Sequence, residues 1–153
     1  MVKISVIYDT KYGNTKLVAE KIVEGIREVE GIETAISDVK EVELEKVGDS
    51  DAILIGAPNH IGGPTRAIGK FIDQLGKLDV RAKWVAVFDT YLGKDFEKAA
   101  KKMEKRIGEK LPGIKLITSG LSIRVEGMRG PIVEGELPKC RDFGKRIANQ
   151  LKT

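Results

Sequence analysis

The chain has 153 residues, with 27 Lys+Arg against 23 Asp+Glu and a formal net charge of +4. That length suits one domain with a substantial core, and residues 1–153 are read as that single domain. No apolar run approaches the roughly 18 residues of a membrane-spanning helix, charges at Lys3, Asp9 and Lys11 break any secretory-leader pattern, and the lone Cys140 closes no internal disulfide, so a cytoplasmic protein is expected.

Ile4 to Tyr8 read as a short buried strand, because they are apolar and rich in branched side chains. From Asn14 the pattern turns helical, with Val18, Ile22, Ile26 and Val29 at three- or four-residue spacing and Gly31 as a stop. Ile32 to Ser37 form a weaker strand nearer an edge, and Glu41 to Val47 a short helix or loop. Ala52 to Ala57 are apolar throughout and read as a central parallel strand. Pro58 ends it, and a helix follows with Ile68, Phe71, Ile72 and Leu75 inward. Trp84 to Phe88 give the fourth strand, with Trp84 as core or sheet end. The helix from Asp95 places Phe96, Ala99, Ala100, Met103 and Ile107 on one stripe, and Pro112-Gly113 breaks it. Ile114 to Val125 carry the fifth strand, kinked at Gly120; the last helix begins near Gly135 or Glu136, with Cys140, Phe143, Ile147, Ala148 and Leu151 inward.

Alternating strands and helices require right-handed crossovers and a parallel sheet covered on both faces. Five strands in this length fit a doubly wound α/β sheet of order 2-1-3-4-5. Ligands in such sheets bind beyond the carboxyl ends of the strands where the order reverses, here between the first and third. The loops after strands one, three and four therefore converge on one rim.

The first of these loops is Thr10-Lys11-Tyr12-Gly13-Asn14-Thr15. It combines hydroxyl donors, a glycine that permits close backbone approach and a helix start with unpartnered N–H groups, which together make a cradle for a phosphate. An ordinary strand-to-helix turn with Asn14 or Thr15 as the cap is the alternative. The second loop is Pro58-Asn59-His60-Ile61-Gly62-Gly63-Pro64-Thr65, and the third runs Asp89-Thr90-Tyr91-Leu92-Gly93-Lys94. His60, the only histidine, has no ligand partners of its own type, and Cys140 falls on an apolar stripe, so no metal site is expected. No residue set for acid–base or nucleophilic catalysis stands out.

Thr10, Gly13, Asn14 and Thr15 resemble the phosphate loop of the flavodoxin family, Thr/Ser-x-Thr-Gly-x-Thr, with Tyr12 in place of the middle threonine. The Tyr-Gly-Asn-Thr form is similar to the flavodoxin-like domains of diiron flavoproteins. The resemblance implies a flavodoxin-like fold, an FMN cofactor and an electron-transfer protein shuttling one or two electrons between redox partners. It also implies that the second and third loops flank the isoalloxazine ring. Tyr91 is then the stacking aromatic, or else a half-buried surface tyrosine. Gly62 or Gly63 would turn its carbonyl toward the N5 proton of the reduced ring, or the pair is simply a flexible loop before Pro64. The cofactor-binding set so implied is Thr10, Lys11, Tyr12, Gly13, Asn14, Thr15, Pro58, Asn59, His60, Ile61, Gly62, Gly63, Asp89, Thr90, Tyr91 and Gly93.

Charge departs from the family, whose members are often acidic. Residues 1–60 hold 7 basic and 12 acidic side chains, whereas residues 61–153 hold 20 and 11. That balance fits acidic redox partners, or an ordinary solvated surface. The basic residues are mixed with acids and not interleaved with aromatics, so no nucleic-acid or membrane partner is expected.

An NAD(P)H-dependent FMN or quinone reductase of the same fold is the alternative. Phe71-Ile72-Asp73-Gln74-Leu75-Gly76 is similar to the corresponding helix there, but the insertion that helps build a nicotinamide pocket is not apparent. A phosphoacceptor signalling domain of the same topology needs an Asp where Ala57-Pro58 ends the third strand. Neither a Gly-x-Gly-x-x-Gly turn nor a P-loop is present.

Overall fold

The computed structural model describes residues 1–153. Eleven elements follow one another: β1 (Val2–Tyr8), α1 (Asn14–Arg27), β2 (Ile32–Asp38), α2 (Leu44–Gly48), β3 (Ala52–Pro58), α3 (Arg66–Leu75), β4 (Trp84–Tyr91), α4 (Lys98–Lys110), β5 (Lys115–Leu116), β6 (Leu121–Arg124) and α5 (Leu137–Lys152). The strand order is β2-β1-β3-β4-β5, all parallel, with β6 also on β4. This is the flavodoxin-like sheet.

The fifth position is one strand interrupted. β5 pairs with Trp84 and Val85, β6 with Phe88 to Tyr91, and Gly120 lies between. A Cβ at Gly120 would sit 3.0 Å from Val87 and 3.1 Å from Ala100, so the chain crosses there against both sheet and helix. The ladder with β6 also extends β4 to Tyr91. Asp89, Thr90 and Tyr91 are therefore strand residues, not loop residues.

Burial of every β3 residue from Ala52 to Ala57 explains its central place, since both faces are covered. On one face α1 and α5 pack Val18, Ile22, Phe143 and Ile147 against Ile4, Val6 and Leu54. On the other, α3 and α4 bring Ile68, Phe71, Met103 and Ile107 against Ile53, Ile55 and Val87. α1 and α5 cross closely: a Cβ at Gly144 would overlap the Ile22 carbonyl, and one at Gly25 the Arg141 carbonyl.

Two sequence expectations change at α4. Its first residue is Lys98, because Glu97 takes a left-handed backbone (φ 60°) and interrupts any helix from Asp95. Phe96 consequently leaves the buried stripe, is half exposed, and meets the Tyr91 ring edge-on at 5.3 Å. Val29 likewise lies beyond α1, which stops at Arg27, and is only partly buried.

Candidate functional site

At the carboxyl edge of the sheet the segments after β1, β3, β4 and β6 enclose an open cavity of about 400 Å3. Its first wall is Thr10, Lys11, Tyr12, Asn14 and Thr15; its second is Pro58, Asn59, His60 and Ile61, with Thr65 behind. The third wall is Thr90, Tyr91, Leu92 and Asp95. Val125 and Met128 close the remaining side.

The first wall presents donors to the cavity. Gly13, at φ 93°, caps α1, and no side chain bonds to the helix end, so neither Asn14 nor Thr15 serves as the cap. Leu17 N–H makes the first helical bond, to the Gly13 carbonyl at 3.0 Å. The N–H groups of Asn14, Thr15 and Lys16 are thereby left for an anion, with the helix dipole favouring negative charge there. Thr10 Oγ1 accepts the Gly13 N–H at 2.9 Å, which leaves its own proton to donate. Asp9 is not a ligand-facing carboxylate. It accepts from Thr10 N–H at 3.0 Å and from the Thr65 hydroxyl at 2.6 Å, tying this loop to the start of α3.

Tyr12 is 39% exposed and serves as a platform for two cations. Lys11 Nζ lies 5.5 Å and Arg129 Cζ 5.6 Å from its ring centroid. These charges stand beside the anion cradle.

The second wall is braced from behind. Asn59 donates its backbone N–H and its side-chain NH2 to the Thr90 carbonyl, both at 3.0 Å, and accepts Ala99 N–H at 3.0 Å. Its polar atoms thus lock β3, β4 and α4 together. The loop tip is tight: His60 N–H donates to the Gly63 carbonyl at 2.6 Å, with Ile61 at φ 52° and Gly62 at φ 70°. A branched residue in that region is strained, by about 1–3 kcal/mol. Ile61 is nonetheless 92% exposed, so it gains nothing from burial within the chain.

Five residues expected at the site lie off its wall: Gly13, Gly62, Gly63, Asp89 and Gly93. Gly13 and Gly62 shape the turns through positive φ, as does Gly93 at 64°. Gly63 is buried, its carbonyl held by His60. Asp89 is fully buried and turned toward α4, where it accepts Ala100 N–H at 2.8 Å and the Ser122 hydroxyl. It caps α4 and compensates the positive helix end. Burial outweighs these bonds and pushes its pKa up to about 6.

Thr65, Leu92, Asp95, Val125 and Met128 are wall residues that sequence reasoning missed. Thr65 sits inside the second loop and Leu92 inside the third, so their positions were available; Met128 lies in the irregular segment Gly127 to Pro131, which has no periodicity to read.

A flavodoxin domain model matches residues 5–120. The chain belongs to the flavodoxin family. Members of this family bind FMN and transfer electrons. A flavodoxin of Aquifex aeolicus is 39% identical over 75 residues, a segment covering 49% of this chain and 40% of that protein. A flavodoxin of Clostridium saccharobutylicum is 26% identical over 98% of both chains. The solved structure of a flavodoxin from the domain Archaea superposes with a TM-score of 0.84 at 25% identity, covering 99% of this chain and all of that one.

Proposed function

We propose that this flavodoxin is an electron carrier that holds FMN in the rim cavity. The observation that carries this reading is the donor set of the first wall: free N–H groups at the start of α1 and the Thr10 proton, gathered where a phosphate would end. The cavity volume falls within the roughly 300–1,000 Å3 of small-molecule sites. FMN, when bound, supplies a ring that takes up two electrons one at a time. The chain's own residues fit it as follows. Asn14, Thr15 and Thr10 hold the phosphate, with Lys11 beside it. Tyr91 offers an aromatic face, fixed by its edge-on contact with Phe96. Ile61 lies at the rim, and the Gly62 carbonyl, which accepts no backbone hydrogen bond, faces no competition for a ligand N–H.

The protein acts, on this reading, as one domain over residues 1–153 in the cytoplasm, delivering electrons to acidic partner proteins. No helix is long and apolar enough to cross a membrane.

The experiment is anaerobic reduction of the FMN-loaded chain. A carrier accepts electrons from dithionite and passes them to an added acceptor protein, while NADH and NADPH are consumed no faster than by free FMN. Rapid NADPH oxidation by the loaded chain alone would instead identify a reductase. Failure to retain FMN would reject both.

A further inference from the structure

Around the cavity mouth, large apolar side chains stand in solvent: Ile61 is 92% exposed, Met128 72%, Phe96 55% and Leu92 42%. Three of them line the cavity and Phe96 packs on Tyr91, so they form one ring around its opening. An apolar ring of this kind, rimmed by charge, marks a protein-docking surface.

The charge beside it is predominantly positive. α4 presents Lys98, Lys102, Arg106 and Lys110 at four-residue spacing, one stripe of the helix. Each lies over a glycine of the adjoining loop or α3. A Cβ at Gly62 would meet Lys98 at 3.6 Å, one at Gly63 Lys102 at 3.3 Å, one at Gly69 Arg106 at 3.0 Å, and one at Gly76 the Lys110 carbonyl at 2.6 Å. The stripe therefore starts at the cavity tip and runs down the groove between α3 and α4. Arg106 is neutralised by Asp73 through two bonds of 2.9 and 2.6 Å. Lys98 is partly offset by Asp95 at 3.3 Å. Lys102 pairs with no carboxylate, and exposed Lys101 and Lys105 add to the same helix end, against Glu104, which is half buried.

We infer that this face, the apolar ring with the amino-terminal half of the α4 stripe, docks an acidic redox protein. Charge complementarity selects that occupant: a basic surface steers an acidic protein to the opening, and the apolar ring then excludes water at the point of electron transfer. The inference deepens the carrier reading and rests on it for the identity of the cavity's ligand. The docking itself is measurable without electron transfer.

The test uses two haem proteins of opposite charge, acidic cytochrome b5 and basic cytochrome c. The reduced FMN-loaded chain is mixed with each oxidised protein in a stopped-flow instrument, one electron passing to each haem iron. Calorimetric titration of the oxidised pair gives binding separately. Raising salt from about 10 to about 300 mM should slow transfer to cytochrome b5 roughly tenfold or more, and speed or leave unchanged transfer to cytochrome c. Lys98→Glu with Lys102→Glu should remove most of the low-salt advantage of cytochrome b5 and weaken its binding at least fivefold. Lys145→Glu with Lys152→Glu, at exposed positions of α5, changes net charge equally and should retain most of both. Equal losses in the two double variants would overturn the inference, as would salt-independent transfer or tight binding to duplex DNA with none to cytochrome b5. Loss of FMN retention would instead fault the cofactor reading, and the titration would still report docking.

Discussion

The hydroxyls of Thr15 and Thr90 meet at 2.9 Å in a buried contact between residues 75 positions apart. This bond joins the first turn of α1 to the end of β4, and so fixes the anion cradle relative to the Tyr91 wall. Because Thr15 Oγ1 is engaged, Thr90 sets how much of its capacity remains for a ligand. Thr90→Val keeps the shape and removes the partner. FMN affinity should fall by about 0.5–1.5 kcal/mol, roughly twofold to twelvefold, and Thr90→Ser should restore it. Fluorescence titration of the three proteins checks this; equal affinities would show that the bond does not organise the site.

Asp89 should leave a signature in stability against pH. Its folded pKa of about 6 exceeds the ordinary carboxylate value of 3.8, chiefly through burial. Between those values the folded chain holds the proton more tightly than the unfolded chain. Its contribution is fully present below about pH 4, declines as pH rises toward 6 and is lost above it, a span of about 3 kcal/mol. Asp89→Asn abolishes that decline. Urea unfolding of both proteins from pH 4 to pH 7 should show the native-minus-variant difference falling with pH; a constant difference would contradict the placement.

Two glycines should respond oppositely to alanine. Gly144 sits where a Cβ overlaps the Ile22 backbone, so Gly144→Ala forces α1 and α5 apart and should cost about 1–3 kcal/mol. Gly108 lies within α4 with open space around its Cβ position, and Gly108→Ala should stabilise by up to about 1 kcal/mol. Thermal melts of the two variants give the comparison directly.

Ile61→Gly should relieve the backbone strain at φ 52° and raise stability by about 1 kcal/mol. The same change removes the most exposed apolar side chain of the docking ring. A variant that melts higher yet transfers electrons to cytochrome b5 more slowly would show that the strain is kept for docking. Unchanged stability would mean that the left-handed Ile61 conformation carries no cost.

The sheet and its order were legible because Ile4–Tyr8, Ala52–Ala57 and Trp84–Phe88 are short apolar runs set between helical periodicities. The first loop was legible because threonine, glycine and asparagine gather where strand gives way to helix. Asp89 was not. A carboxylate at a strand end reads as ligand-facing, and only the fold brings Ser122, 33 residues on, and the α4 end to claim it. Phe96 was misread because its spacing continues the α4 stripe, while the left-handed Glu97 that ends the pattern has no sequence signal of its own. Met128 reaches the cavity from a segment with no period.

The most direct test of the cofactor reading is the difference in affinity between FMN and riboflavin, which differ only in the phosphate. Quenching of flavin fluorescence should give one FMN per chain, bound at least about 100-fold more tightly than riboflavin, through several charge-assisted bonds at the start of α1. Replacing Thr10 and Thr15 together by Ala should narrow that gap and leave riboflavin affinity nearly unchanged. Equal affinities for the two flavins, or none for either, would contradict the account.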